Sequence, residues 1–165
     1  MVKEIPFPTQ SLVEGKESSR FYRDSFKFSS SKTNLDAKRV YHAIFAYLPN
    51  SVQRALKVRN AIVKPFGFSA SNTEMSLPLE EIKSGKKAGF LTIEQVTDEE
   101  VVCGAYENNM DMWLSVMKVA EGEYAVSTLV NLKTTTGRLY MALIKPFHKL
   151  VAKYCIKQAI KAGRL

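Results

Sequence analysis

Glu107 and Asp111 stand either side of an asparagine turn, and two carboxylates so placed can exchange a proton if burial lifts one pKa towards neutrality. The competing reading is that both are solvated, as acids usually are. His148 is the third candidate proton donor or acceptor. Arg59 falls on the apolar side of a helical pattern with Leu56 and Val63. There its guanidinium could hold an anionic ligand group through two parallel hydrogen bonds, or close an ion pair within the fold. Trp113, Ser115, Met117 and Val119 share one face of a strand headed by Asp111, and Tyr140, Phe147 and Tyr154 project from a long helix. Packing accounts for most side chains of this kind. The functional alternative is a cavity of methionine and aromatic surface with a few polar groups, the usual make-up of small-molecule sites. On that alternative Arg59, Trp113, Met117, Tyr140, Phe147 and Tyr154 bind the ligand, and Asp111, Glu107 and His148 are the catalytic candidates.

The inventory argues against several other chemistries. His42 and His148 are the only histidines and neither has a cysteine or carboxylate at a ligand interval, so no metal is expected. Cys103 and Cys155 lie far apart and read as small core or surface residues of a reducing compartment. There is no Gly-x-Ser-x-Gly elbow, phosphate loop or zinc-protease helix motif, and no Gly-x-Gly-x-x-Gly segment follows a strand. Neither a recognised hydrolase nor a nucleotide enzyme is expected, and no cofactor is.

The elements that must position these residues are legible in the periodicity. Residues 1–19, with Pro6, Pro8 and Gly15, read as an extended arm before a single domain over 20–165. Phe21 to Phe28 reads as a first strand whose Tyr22, Phe26 and Phe28 share a face that Asp24 interrupts. Thr33 to Asp36 forms a capping box, predicting a helix that buries Val40, Tyr41, Ile44 and Phe45 and ends before Pro49. Asn50 to Gln53 repeats the box, and the second helix is expected to bury Val52, Leu56, Ile62 and Val63 before Pro65 and Gly67. Residues 69–87 read as a polar loop near a pocket mouth, with room for a short edge strand. Four β-like runs follow, GFLTIEQV, VVCGAY, MDMWLSVMKV and YAVSTLVNLK, with turn residues between them: an antiparallel meander. Arg138 to Ala162 reads as a long helix with Leu139, Leu143, Phe147, Leu150, Val151 and Tyr154 at helical spacing, kinked or broken near Pro146.

At 165 residues and 45% hydrophobic content the chain has the size of one domain. No apolar run of about 18 residues could cross a bilayer and the opening lacks a signal-peptide core, so the cytoplasm is the expected location. The net charge of +8 is uneven: seven basic residues and no acid lie from Arg138 onward, whereas Glu and Asp dominate between Ala88 and Glu123. Lys145, Lys149, Lys153, Lys157 and Lys161 recur every four residues and wind slowly around their helix. Such a row suits a helix C-terminus, which makes nucleic acid an unexpected partner and leaves peripheral contact with an anionic membrane as an alternative role.

The order strand, two short helices, meander and long terminal helix resembles the START/SRPBCC, or helix-grip, superfamily. The segments Arg59 to Gly67, Glu100 to Gly104, Gly137 to Tyr140 and Lys145 to His148 resemble a bacterial family of unknown function within it. The resemblance runs from about Phe21 to Tyr154. It implies an α+β fold in which the terminal helix clamps a curved antiparallel sheet over an apolar interior. It also implies the stand-alone form of a domain that elsewhere follows an NAD-binding dehydrogenase-like domain. Where the resemblance leads one to expect an acidic turn with a histidine before Leu-Asp, this chain has Glu107-Asn108-Asn109-Met110-Asp111, so no role resting on that histidine carries over.

The leading expectation is therefore a binding module for a small hydrophobic molecule or lipid, held between sheet and terminal helix with residues 69–87 as a gate. An enzyme using the same cavity is the alternative. A third reading is a basic module for an anionic surface or a separately encoded dehydrogenase. Ligand, protein partner and oligomeric state are not legible.

Overall fold

A computed structural model describes residues 1–68 and 74–165. Among the described residues, seven strands form one antiparallel sheet in the order β1-β2-β7-β6-β5-β4-β3. The strands are β1 (Lys3–Glu4), β2 (Phe21–Ser29), β3 (Lys87–Ala88), β4 (Leu91–Val96), β5 (Glu100–Tyr106), β6 (Met110–Ala120) and β7 (Glu123–Leu132). The helices are α1 (Ala37–Phe45), α2 (Asn50–Val63) and α3 (Thr135–Lys161). The architecture is α+β and helix-grip-like. The four predicted β-runs become β4 to β7, and the meander follows from their alternation and tight turns. Register shifts at Ile93/Gln95 and Lys118/Ala120 mark bulges, which bend and twist the strands that carry them.

One face of the sheet carries the main core. Phe26, Phe28, Ile93, Val101, Cys103, Leu114, Val116, Tyr124 and Val126 pack there against α1 and α3. The opposite face is covered by the N-terminal segment, whose Phe7 and Val13 pack on Val102, Trp113 and Leu129. That segment is no free arm, and it runs through turns over residues 9–15. Its β1 pairs with the edge strand β2, and the buried Glu100 holds its loop. Glu100 Oε1 accepts the Ser11 and Ser115 hydroxyls, both at 2.6 Å, and its Oε2 accepts the Leu12 amide at 2.8 Å. Three donors are what make this buried carboxylate tolerable.

Several helix details differ from expectation. α1 is capped by Asp36, whose Oδ1 accepts the Arg39 amide at 2.7 Å, rather than by Thr33. Asn34 lies between them at φ 59°, a left-handed torsion that no first helical turn accommodates. Pro49, not Asn50, is the residue preceding α2, and Gln53 donates to the Leu48 carbonyl. α3 runs unbroken through Pro146. The proline is exposed, so water can take the Ala142 carbonyl that loses its partner.

The largest correction concerns which stripe of α3 is inside. Leu139, Leu143, Phe147, Leu150 and Tyr154 are exposed, between 41% and 75%. The side facing the sheet is instead Gly137, Met141, Cys155, Ile156 and Ala159. Ile62 of α2 is likewise exposed, at 62%.

Burial raises the pKa of Tyr22 and Tyr41 well above the ordinary 10.0, reinforced by Asp24 beside Tyr22 and by Cys103 beside Tyr41. Burial likewise pushes the Cys103 thiol up to about 12 and that of Cys155 up to about 11. The phenols favour the folded state fully below pH 10, and that contribution falls as unfolded phenols begin to ionise above it. Alkaline titration followed by phenolate absorbance should therefore show a late, cooperative phase coincident with unfolding. Both thiols should resist a disulfide-exchange reagent near pH 8 until denaturant is added; prompt labelling of the native protein would contradict their burial.

Candidate functional site

The site is a cleft between α2, α3 and the core face of the sheet. Its position is set by how α3 begins. Thr134 caps the helix by accepting the Gly137 amide at 3.0 Å, and the same hydroxyl donates to Asn109 Oδ1 at 2.7 Å. Asn109 in turn donates from Nδ2 to the Phe66 carbonyl at 2.9 Å, tying the end of α2 to the start of α3. Its backbone carbonyl accepts the Lys133 amide at 3.0 Å. Gly137 lies so close that an added Cβ would stand 2.4 Å from that carbonyl.

Below this pin two adjoining apolar lobes lie between the helices and the sheet, of about 200 Å³ and about 150 Å³. Val52, Leu56, Phe90, Met112, Thr128, His148 and Val151 line both lobes. The larger also meets Arg59, Met110, Val130, Tyr140, Ile144 and Phe147, and the smaller reaches Met75, Cys155 and Ile156. Aliphatic, methionine and aromatic walls make an adaptable surface for an apolar body.

Besides Thr128, polar groups enter at two places. At one end the Arg59 Nε donates to the Tyr140 hydroxyl at 2.9 Å, and the guanidinium stands 5.3–5.9 Å from the rings of Tyr140, Phe90 and Phe68. These rings hold the cation at the rim by their negative faces. His148 lines both lobes, and its Nε2 lies 3.4 Å from Asp24 Oδ2, which also accepts the Tyr22 hydroxyl at 2.5 Å. Asp24 is 5% exposed, its Oδ1 has no hydrogen-bond partner, and His148 Nε2 makes no hydrogen bond of good geometry. Buried polar atoms are rarely left so, and a cluster in this state has capacity for one more donor or acceptor.

The cleft brings together Arg59, Tyr140, Phe147 and His148 of the residues proposed from sequence. Trp113 and Met117 lie elsewhere. They share the face of β6 that carries Ser115, and Trp113 packs on Phe7 and Val13 and donates to the Tyr106 hydroxyl at 3.2 Å. The cleft takes the alternate set, Met110 and Met112, because neighbouring strand residues point to opposite faces. Tyr154 is exposed outside it. Glu107 and Asp111 also lie outside. Asp111 pairs with Lys133 Nζ at 3.2 Å, and the same ammonium donates to the Glu107 carbonyl, an arrangement that ties down the turn. Of the expected gate, residues 69–73 lie outside the described residues, whereas Met75 and Ile82 farther along are buried in the core.

Asp24 and Tyr22 were not proposed from sequence as site residues. The signal was the charge that interrupts an otherwise apolar strand face. Among the described residues, no three His, Cys, Asp or Glu side chains gather as a metal site.

Residues 19–155 match the family described as protein of unknown function (DUF2867). The chain belongs to that family. Within the DUF2867 match lie both helices of the cleft, apart from the last six residues of α3, and the polar residues Arg59, Thr128, Tyr140 and His148 that line it. No curated protein and no solved structure matches the chain.

Gly137→Ala should force the helix start away from Asn109 and cost about 1–3 kcal/mol, the usual range for overpacking. The check is a lower denaturant midpoint at unchanged slope; wild-type stability would show the close approach to be inconsequential.

Proposed function

We propose that the chain binds a small, mostly apolar molecule in the cleft between α2, α3 and the sheet. The observation that carries this is the cleft itself: two adjoining apolar lobes whose few polar side chains include Thr128, the Arg59–Tyr140 pair at the rim and His148. Such a distribution suits a ligand with an apolar body and one or two hydrogen-bonding groups. Element order and the helix-grip-like architecture support placing the family in the START/SRPBCC superfamily, as the stand-alone form of the domain. A site for a hydrophobic ligand between sheet and terminal helix agrees with that placement.

Filling the larger lobe tests the reading. Val130→Trp should weaken uptake of a neutral apolar fluorophore such as 1-aminoanthracene by about tenfold or more, since each 1.4 kcal/mol lost is a factor of ten. Native mass spectrometry and solvent extraction of purified protein should return a bound small molecule. A wild-type protein that takes up no such dye and releases nothing on extraction would overturn the proposal.

An enzyme using the same cleft is the second reading, favoured by His148, which lines both lobes and has Asp24 and Tyr22 beside it. His148 would exchange the proton and Asp24 would orient its ring. Conversion of a bound ligand that disappears in His148→Gln while dye uptake persists would establish it. Recovery of the extracted ligand unchanged after long incubation with fresh protein would remove it.

A further inference from the structure

The three helices contain no acidic residue. α1 carries Lys38 and Arg39, α2 carries Arg54, Lys57 and Arg59, and α3 carries Arg138 and five lysines. All 16 Asp and Glu therefore lie in strands and connections, and the helical layer is basic throughout. On the same layer stand the exposed apolar side chains that helix packing does not use. Leu139, Leu143, Phe147, Leu150 and Tyr154 run for about 22 Å along the outer side of α3, at 1.5 Å per residue. Val58 and Ile62 of α2, with Phe66 just beyond it, are exposed at 59–62%. Phe147 belongs both to this strip and to the cleft wall, so apolar surface continues from the interior of the cleft to the outside.

We propose that this helical layer docks on an anionic lipid surface, with the apolar strip of α3 in the headgroup boundary and the lysines beside it on the phosphates. Several features select that occupant. A helix with apolar residues on one side and lysines flanking them is the interfacial pattern, and long lysine stems let the charge stay in the headgroups. Lys145, Lys149 and Lys153 are placed along one side of α3 by the Tyr22 ring, Glu4 and the Phe26 ring. Those three turn towards the sheet, whereas the exposed Lys157 and Lys161 continue the strip's own side within two turns of Tyr154. A second copy fits worse, because an all-basic layer would meet its own charge. A membrane also accounts for the continuity at Phe147: an apolar ligand can pass between bilayer and cleft without crossing water. That last point rests on the cleft reading; the docking surface itself does not.

The test is co-sedimentation with vesicles of phosphatidylcholine containing about 30% phosphatidylglycerol, against pure phosphatidylcholine. Wild-type protein should partition at least about tenfold more strongly onto the anionic vesicles and be released as salt screens the lysines. L143E/L150E, whose residues lie outside the cleft, should lose vesicle binding about tenfold or more while its thermal transition and its uptake of 1-aminoanthracene stay as in wild type. Vesicle binding without dye uptake would sink the cleft reading and leave the surface; dye uptake without vesicle binding would do the reverse. Equal partitioning of wild type and the double variant would overturn the proposal. So would a wild-type dimer that the double substitution dissociates, or capture by an acidic protein surface in the absence of any vesicle affinity.

Discussion

Everything in the site depends on one close approach, that of Gly137 to the Asn109 carbonyl. It fixes where α3 starts and at what height it leaves the sheet. Asn109 commits three polar groups to this junction: Oδ1 to the Thr134 cap, Nδ2 to the Phe66 carbonyl beyond α2, and its own carbonyl to Lys133. A side chain at Gly137 would lift the helix, and a residue without an amide at 109 would uncouple α2 from α3. Far from this junction the inner face of α3 closes on the sheet through Cys155, Ile156 and Ala159, small or branched residues that allow near contact. The cleft occupies the middle stretch, where Met141, Ile144, His148 and Val151 form its α3 wall.

Much of this was legible in the residues. Alternation of apolar side chains gave the strands, and proline and glycine gave most boundaries, because both act locally through the backbone. The faces were harder. On β6 the odd set, Trp113 and Met117, looks as suited to a cavity as the even set, since the strand is apolar on both sides and both sides are buried. What decides between them is the N-terminal segment, a partner more than a hundred residues away in sequence for Trp113. α3 misled for a related reason: the conspicuous leucine and aromatic stripe is the exposed one, and the buried stripe, apart from Ile156, is made of Gly, Met, Cys and Ala, which carry little periodic signal. Glu107 and Asp111 attracted attention as a carboxylate pair, but Lys133, some twenty residues on, already satisfies that turn. Asp24 was visible as an anomaly; its meaning required His148 to arrive from the other end of the chain.

The charge distribution joins fold to function in a way that net charge conceals. Acids cluster on strands and turns, where Glu100 secures the N-terminal loop and Glu121 and Glu123 pair with Lys118 and Lys27. The helices keep only bases. Burial energetics do not demand this division, since exposed ion pairs contribute little to stability. It does give the molecule an electrostatic orientation, with the cleft on its positive side.

The margins of the sheet carry a separate consequence. Each end of the strand order is a two-residue strand, β1 with Lys3 and Glu4 on one side and β3 with Lys87 and Ala88 on the other. Short, charged borders of this kind give an incoming strand almost no ladder to extend. Growth by edge-to-edge addition through these two border strands is therefore disfavoured.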